Sequence, residues 1–317
     1  MAAKQRATAF APASIGNVAV GFDMLGLAIE GAGDRVTAWR ADVEGVQITH
    51  VFGLDGDVHP GLSADTAENT AGVAAASLWS AEGDVGGVQL TVHKGIPLAS
   101  GMGSSAASAV AGCVAVNALL DQPLPVDRLL DHALAGEKLA SGALHADNVA
   151  PSLLGGMILS PPALHPRLLA LETPADLCSV LLHPDLHVST AEARRKLASD
   201  YSMDQWLTQQ GYLAGFIVAL ANNDHALIRD TLKDVIIEPQ RKAAVPCFDD
   251  VKAAAMSAGA LGASLSGSGP SLFAVGPRNV AENISVAMQQ ACRNNGYDCE
   301  SWISSLAAPG AVVEAVE

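Results

Sequence analysis

Apolar and polar positions alternate with a period of two in several short runs, and these runs predict strands. QRATAFAPASIGN reads as a strand entering a Pro/Ser/Gly/Asn loop, and a second apolar segment follows in GFDMLGLAIE. DRVTAWRADVEGVQITHVFG alternates well enough for two strands joined near Glu44–Gly45, and GGVQLTVHKGIPL repeats the pattern beyond a loop at Asp57–Asp65. Helical spacing appears over Glu68–Glu82, after Gly103 as far as Leu120, and over VDRLLDHALAGEKLAS once QPLP has broken the preceding helix. GALHADNVAPSLLGGMIL is a turn-rich piece that ends in a strand.

The texture shifts at SPPALHPR, Ser160–Arg167, and this predicts a boundary between residues 1–163 and 164–317. The second half reads as strand (LCSVLLHP), helix (STAEARRKLA), two helices to Lys233, a loop with Pro239, and a helix. A second glycine loop, SLSGSGPSLFAVG, precedes a helix at Val280–Asn294 and the strand DCESWIS. The whole is a mixed α/β chain in two halves, with no internal repeat.

One stretch follows neither rhythm. PLASGMGSSAASAVAG, Pro97–Gly112, has no charge and hardly a side chain larger than a methyl or hydroxymethyl group. Glycine lets a ligand lie against the backbone. The alanine-rich run after Gly103 suits a helix, with Ser104 as its N-cap. A glycine loop entering a helix gathers free N–H groups and the positive end of the dipole, the geometry that holds phosphate. A tightly packed core helix entered through a flexible turn has the same signature. A membrane span does not, because spans need sustained bulky apolar residues and the uncharged run Gly95–Leu120 opens with Pro, Gly and Ser.

The 317 residues suffice for two ordinary domains or one large one. Hydrophobic residues make up 50% and aromatic residues only 4%, so the core must rely on Ala, Val and Leu. A formal net charge of −15 argues against nucleic acid, which needs a basic face, but leaves room for one small anion in a local cationic pocket. Cys113, Cys178, Cys247, Cys292 and Cys299 form no C-x-x-C pair and are odd in number, which fits reduced thiols. MAAKQRATAFAPASIGN has early charges but no apolar h-region, so no signal peptide is expected and the expected setting is cytoplasmic.

The first glycine loop lacks the lysine of a G-x-x-x-x-G-K-[ST] loop, so phosphate-neutralising charge must come from elsewhere. Lys94 is the nearest candidate; an exposed strand lysine is the alternative. A nucleotide brings a divalent ion that prefers a few hard oxygen ligands. Ser105 offers a hydroxyl and Glu137 a carboxylate. His145, Asp147 and Asn148 share a turn, where Asp and Asn also occur for local reasons. Asp147 suits a base, Asn148 a positioning amide, and His145 a structural hydrogen bond. Asn17 and Asp23 lie among apolar residues of NVAVGFD, where the carboxylate needs a partner, either a substrate ammonium or the loop backbone. Arg194 falls one helical turn after Thr190, and Arg241 follows a proline turn. Two guanidinium forks suit a small carboxylate ligand, although each taken singly reads first as a surface salt-bridge residue.

PLASGMGSSAA resembles the phosphate-binding motif of the GHMP kinases, which phosphorylate small alcohols such as galactose, homoserine and mevalonate. APASIGNVAVGFDMLG, SGALHADNVAPSLLGGM, STAEAR, KDVIIEPQR and GASLSGSGPSLFAV extend the resemblance over nearly the whole chain. GFD, STAEAR and EPQR narrow it to the homoserine branch. The resemblance implies a two-domain GHMP kinase fold, with an N-terminal ATP-binding domain like one in ribosomal protein S5 and a ferredoxin-like C-terminal domain. It implies phosphoryl transfer from ATP, with Mg²⁺, to L-homoserine, giving O-phospho-L-homoserine and ADP in threonine biosynthesis. Rival readings are a threonine- or mevalonate-type acceptor, or a non-catalytic sensor of ATP and a metabolite.

By position, the resemblance assigns Pro97, Gly101, Met102, Gly103, Ser104, Ser105 and Ala106 to the phosphates. Lys94 would touch the phosphates, Asn69 would lie near the adenine, and Ser105 with Glu137 would hold Mg²⁺. Asn17, Asp23, Asn148, Thr190, Arg194 and Arg241 would surround homoserine. Asp147, Asn148 and Lys94 would carry the chemistry, and Gly267 and Gly269 would support the nucleotide end of the cleft. Met102 stands where leucine is usual, a volume-conserving change. Ser14 stands where mevalonate-type relatives carry lysine. A homodimer is expected from the resemblance; nucleic-acid and membrane partners are not.

Overall fold

The computed structural model of the chain describes residues 5–82, 86–142 and 145–317. The extreme start of the chain read above for a signal, Met1–Lys4, lies outside the described residues, as do Ala143 and Leu144 of the SGALHADN turn.

Strand β1 (Arg6–Gly16) pairs antiparallel with the long β2 (Leu25–Ala41), from Arg6 opposite Trp39 to Gly16 opposite Gly26. LGLAIE, the end of the apolar segment, and the alternating DRVTAWRA are thus one strand rather than two elements, with Phe22–Met24 forming a turn before it. β3 (Val46–Phe52) does not fold back on β2. Helix α1 (Thr70–Glu82) crosses over, and β4 (Gly87–His93) slots between them, antiparallel to β2 and parallel to β3. α2 (Ser104–Leu119) and α3 (Leu130–Ser141) pack with α1, and α2 also lies on β1 and β2. The turn-rich piece contains a helix, α4 (Val149–Leu154), before β5 (Met157–Leu159) joins β2 and β6 (Leu169–Leu171) joins β5.

The second half opens with β7 (Leu177–Pro184), α5 (Thr190–Arg195), α6 (Met203–Asn222) and α7 (His225–Thr231). Pro239 does not interrupt a loop; it lies in the first turn of a short helix, α8 (Glu238–Arg241), where its missing N–H has no intrahelical acceptor to lose. α9 (Phe248–Ser257), β8 (Gly262–Leu265), β9 (Leu272–Pro277), α10 (Ala281–Asn294) and β10 (Cys299–Ser305) follow. The second sheet runs β10-β7-β9-β8, antiparallel throughout, and α9 and α10 pack on it and on each other. This is the ferredoxin-like β-α-β-β-α-β arrangement. A last strand, β11 (Val312–Val316), returns to pair with β1. The first sheet therefore draws β6 and β11 from beyond the expected boundary at 163/164.

α2 explains the run of small residues. Every residue from Ala106 to Leu119 is buried. A Cβ on Gly112 would stand 2.7 Å from the Ala71 carbonyl oxygen, so α1 and α2 meet at backbone distance. Close packing thus accounts for the small residues along the helix, and the loop that holds Gly101 and Gly103 stands before it.

Candidate active site

A cavity of about 540 Å³ joins the two halves of the chain. One wall is the glycine loop and the first turn of α2. Gly101 (φ 76°) and Gly103 (φ 67°) are left-handed, which glycine adopts without penalty. Gly103 itself caps α2, and no side chain among the described residues caps it. Ser104 is not the N-cap expected; its hydroxyl donates to the Ile96 carbonyl at 3.2 Å. The first-turn amides have no intrahelical acceptors, and Ser104 and Ser105 line the cavity where the positive dipole end emerges. Ser105 also hydrogen-bonds the Glu137 carboxyl of α3. Burial pushes that carboxyl up to about 7, and the Ser105 hydrogen bond only partly opposes the shift.

Asp147 and Asn148 stand between this wall and the opposite one, at the entry to α4. Asp147 is buried and pushed up to about 7, first by burial and then by the nearby charge of Asp23. Asn148 accepts a hydrogen bond from the Ser14 hydroxyl at 2.9 Å.

The opposite wall starts from a strained turn. Asn17, Val18 and Ala19 are successively left-handed (φ 67°, 42° and 57°), a costly conformation for a β-branched residue that persists only where surroundings enforce it. Asn17 donates its amide to the Gly267 carbonyl (3.1 Å) and accepts the Asp23 N–H (3.0 Å). Arg194 forks onto the Asp23 carboxylate at 2.9 and 2.7 Å. Arg241 is buried and donates Nη1 to the Gly267 carbonyl at 2.9 Å, while its Nε has no hydrogen-bond partner among the described residues. Burial, and then Arg194, lower the Arg241 pKa. Both guanidinium groups lie over the Phe22 ring, at 5.5 and 5.1 Å from its centroid. The Thr190 and Ser268 hydroxyls meet at 3.2 Å, and His145 Nε2 lies 3.5 Å from Asp23. One cavity thus carries a phosphate-type main-chain cradle at one end and a half-neutralised arginine pair at the other.

The GHMP kinases N terminal domain family matches residues 69–156, and the GHMP kinases C terminal family matches residues 216–294. The chain is 42% identical over 307 residues to a homoserine kinase of Xylella fastidiosa, covering 96% of this chain and 93% of that one. The chain belongs to the homoserine kinase family. A homoserine kinase of Chloroherpeton thalassium is 38% identical over 96% of this chain and 98% of its own. The crystal structure of homoserine kinase from Cytophaga hutchinsonii superposes with a TM-score of 0.93 at 39% identity, over 99% of this chain and 98% of that one.

Within this homoserine kinase fold several expected positions shift. Lys94 borders the cavity, and protein groups engage its ammonium. Its buried ammonium pairs with Asp34 and donates to the Ser104 carbonyl (2.9 Å) and the Ser108 hydroxyl (2.7 Å), which uses its three donors. Asp34, wholly buried, also accepts the Gly95 N–H and the Ser108 hydroxyl. Lys94 therefore ties the end of β4 to the start of α2. Asn69 lines the cavity, but its side chain is occupied: it donates to the Ser63 carbonyl and accepts the Ala71 and Gly72 N–H groups at the start of α1.

Pro97, Met102, Ala106 and Gly269 do not line the cavity. Met102 and Ala106 are buried beneath the loop. Gly269 backs Gly101, whose added Cβ would stand 2.8 Å from the Gly269 carbonyl oxygen. Gly267 lines the cavity beside Gly101, and Asn17 and Arg241 share its carbonyl.

Asp34, Phe22 and Gln209 are the structural participants that sequence reasoning missed. Asp34 carried a signal in hindsight, as a lone carboxylate in an alternating strand. Phe22, inside the GFD motif, and Gln209, in mid-helix, carried none beyond their neighbours.

Proposed function

We propose that the chain transfers the γ-phosphoryl group of ATP to the side-chain hydroxyl of L-homoserine, giving O-phospho-L-homoserine and ADP. The observation that carries this reading is the single cavity that joins the glycine-loop helix start to the buried Arg241, with Asp147 between them. Phosphoryl transfer asks chiefly for alignment and charge neutralisation. The amides after Gly101 and Gly103 would hold the phosphates, and Asn69 would lie toward the nucleoside.

Mg²⁺ fits one corner of this site. Glu137 is a buried carboxyl facing the cavity beside the Ser105 hydroxyl, and its raised pKa reflects burial that a cation relieves. Among the described residues no group of three or more His, Cys, Asp or Glu forms a self-sufficient metal cage. That suits Mg²⁺, which keeps waters and takes phosphate oxygens alongside one or two protein ligands. Bound there, it would neutralise charge on the transferred group.

At the other end, Arg241 and Arg194 would take the amino-acid carboxylate, and the orphaned Arg241 Nε supports this. Asp23 would take the ammonium and give up part of its hold on Arg194, with Asn17 and Thr190 completing the pocket. Asp147, poised near neutrality, would accept the hydroxyl proton, and Asn148 would orient the hydroxyl. The division into residues 1–163 for ATP and 164–317 for the C-terminal domain belongs to this proposal, with β6 and β11 lent to the first sheet.

The test is ADP release with Mg-ATP and a panel of homoserine, threonine and mevalonate. Homoserine-dependent ADP formation is expected. The reading fails if another alcohol reacts and homoserine does not, or if ADP binds tightly while no acceptor is phosphorylated.

A further inference from the structure

Backbone strain concentrates in the turn that carries Asn17 and Asp23. Four of the six left-handed residues other than glycine among the described residues fall there: Asn17, Val18, Ala19 and Asp23. Strain of this kind persists only where the surroundings enforce it. On the cavity side, Asn17 holds the Gly267 carbonyl and Arg194 holds the Asp23 carboxylate. Both of these holds belong to groups that a bound amino acid would engage. Behind the turn there is one that does not. Gln209 of α6, buried and away from the cavity lining, donates its amide to the Val20 carbonyl at 3.1 Å.

The same side chain grips a second segment. Its oxygen accepts the Val235 N–H at 3.0 Å. From Val235 the chain passes directly into α8: the Asp234 carboxylate gathers the N–H groups of Ile236, Ile237 and Glu238, and the Arg241 N–H donates to the Ile237 carbonyl. One amide therefore fastens the Asn17–Asp23 turn by its donor and the Arg241 segment by its acceptor. A carboxylate in its place would only accept, and a thioether has no proton to give. The base is firm. α6 starts in a Ser202–Gln205 capping box and buries Phe216, Ala219 and Leu220. A buried amide is costly unless its polar atoms are paired, so the bridge, rather than packing, accounts for a glutamine at this place in mid-helix.

We propose that Gln209 is a positioning residue: its amide sets the spacing between the Asn17–Asp23 turn and Arg241, and with it the shape of the pocket for the amino-acid acceptor. Gln209 touches no substrate and acts only through the two segments it joins. Its role in turnover rests on the proposed function; the bridge between the segments does not.

Gln209→Met keeps the length of the side chain and removes the amide. Homoserine kcat/KM should fall by as much as about 10²-fold, the scale of a misplacement of roughly 1 Å, chiefly through KM, with the ATP KM unchanged. Amide hydrogen exchange should quicken over residues 17–23 and 235–241 and stay as it is in α2.

Gln209→Glu adds a readout in pH. The bridged segments carry Asp23, Asp234, Glu238 and Arg241, Lys233 lies over the Tyr212 ring of α6, and α6 itself has no charge between Gln205 and Asn223. Ionised, the new carboxyl has no proton for the Val20 carbonyl. Protonated, it donates to Val20 and accepts from Val235 as the amide does, and burial favours that form. The homoserine kcat/KM of this variant, divided by that of the parent chain, should therefore rise as pH falls from about 8 to about 6, while the same ratio for Gln209→Met stays level. An unchanged homoserine KM in folded Gln209→Met overturns the proposal, as does a rise in both KM values together or a level ratio in Gln209→Glu. If Gln209→Met does not fold, the pH ratio of Gln209→Glu decides. A parent chain with no homoserine-dependent ADP release defeats the proposed function instead, and unchanged exchange in both segments then defeats the bridge on its own.

Discussion

The two walls of the cavity present hydrogen-bond donors by opposite means. The glycine-loop wall works by absence: Gly101 and Gly103 bring main-chain amides to the surface because they have no side chain and tolerate positive φ. Its one cation, Lys94, is consumed in holding that backbone to Asp34 and Ser108. The acceptor wall works by presence. Two long guanidinium groups stack on Phe22, one neutralised by Asp23 and the other buried with a donor unused among the described residues. A backbone cradle is rigid and tolerates no added atom. A side-chain clamp is adjustable, but it stays electrostatically unsatisfied until a ligand arrives.

The largest expected effect breaks the first wall. Gly101→Ala places a Cβ 2.5 Å from the Ser266 carbonyl oxygen at a φ of 76°, so both backbones must shift. Misplacement on that scale costs about 10²-fold in kcat/KM, and nucleotide titration should show weakened ATP binding with homoserine binding retained. Full activity in this variant would mean that the loop is not the phosphate cradle.

The next effect isolates the second wall. Arg241→Ala removes a charged hydrogen-bond donor of about 1.5–3 kcal/mol, which corresponds to roughly 10- to 150-fold in homoserine KM, with ATP affinity unchanged. If initial-rate kinetics show the loss in ATP instead, the assignment of the two ends is reversed.

The smallest effect concerns the carboxyls between the walls. Glu137 and Asp147 rise from ordinary values of 4.5 and 3.8 to about 7 in the folded chain. The folded state therefore binds more protons than the unfolded state across that interval. The stability these groups contribute is present below pH 4 and is lost as pH rises through 7. Thermal melts of the ligand-free protein should show this decline, and Glu137→Gln should flatten it by several degrees in Tm. Mg-ATP should stabilise the parent chain at pH 8 more than it stabilises Glu137→Gln; equal stabilisation would remove Glu137 from the metal site.

The legibility of these features in the sequence follows the same contrast. PLASGMGSS stood out because its left-handed glycines and the helix start after them fall in consecutive residues whose smallness has few other uses. The strands and most helices were readable because burial imposes a period on them. β11 was not, because all five of its residues are exposed and nothing forces alternation. α4 was hidden in a turn-rich segment too short to show a helical period.

The residues of the acceptor wall were nameable, but their partners were not. Asp23 and Arg194 lie 171 positions apart, and Asn17 reaches Gly267 across 250. Lys94 shows the limit most clearly. It sits beside the loop as a phosphate ligand would, and the strand pairing brings beneath it a partner, Asp34, that no local pattern names.

By itself the sequence determined where the backbone is bare, which segments bury a face, and which titratable groups the chain possesses. Those properties are local, set by side-chain size and by periodicity. Only the tertiary structure decided which charges meet, which carboxyls are driven toward neutrality, and which arginine is left with a donor to offer. Pairing and desolvation depend on what surrounds a group in space, and the strands and helices that surround these groups come from opposite ends of the chain.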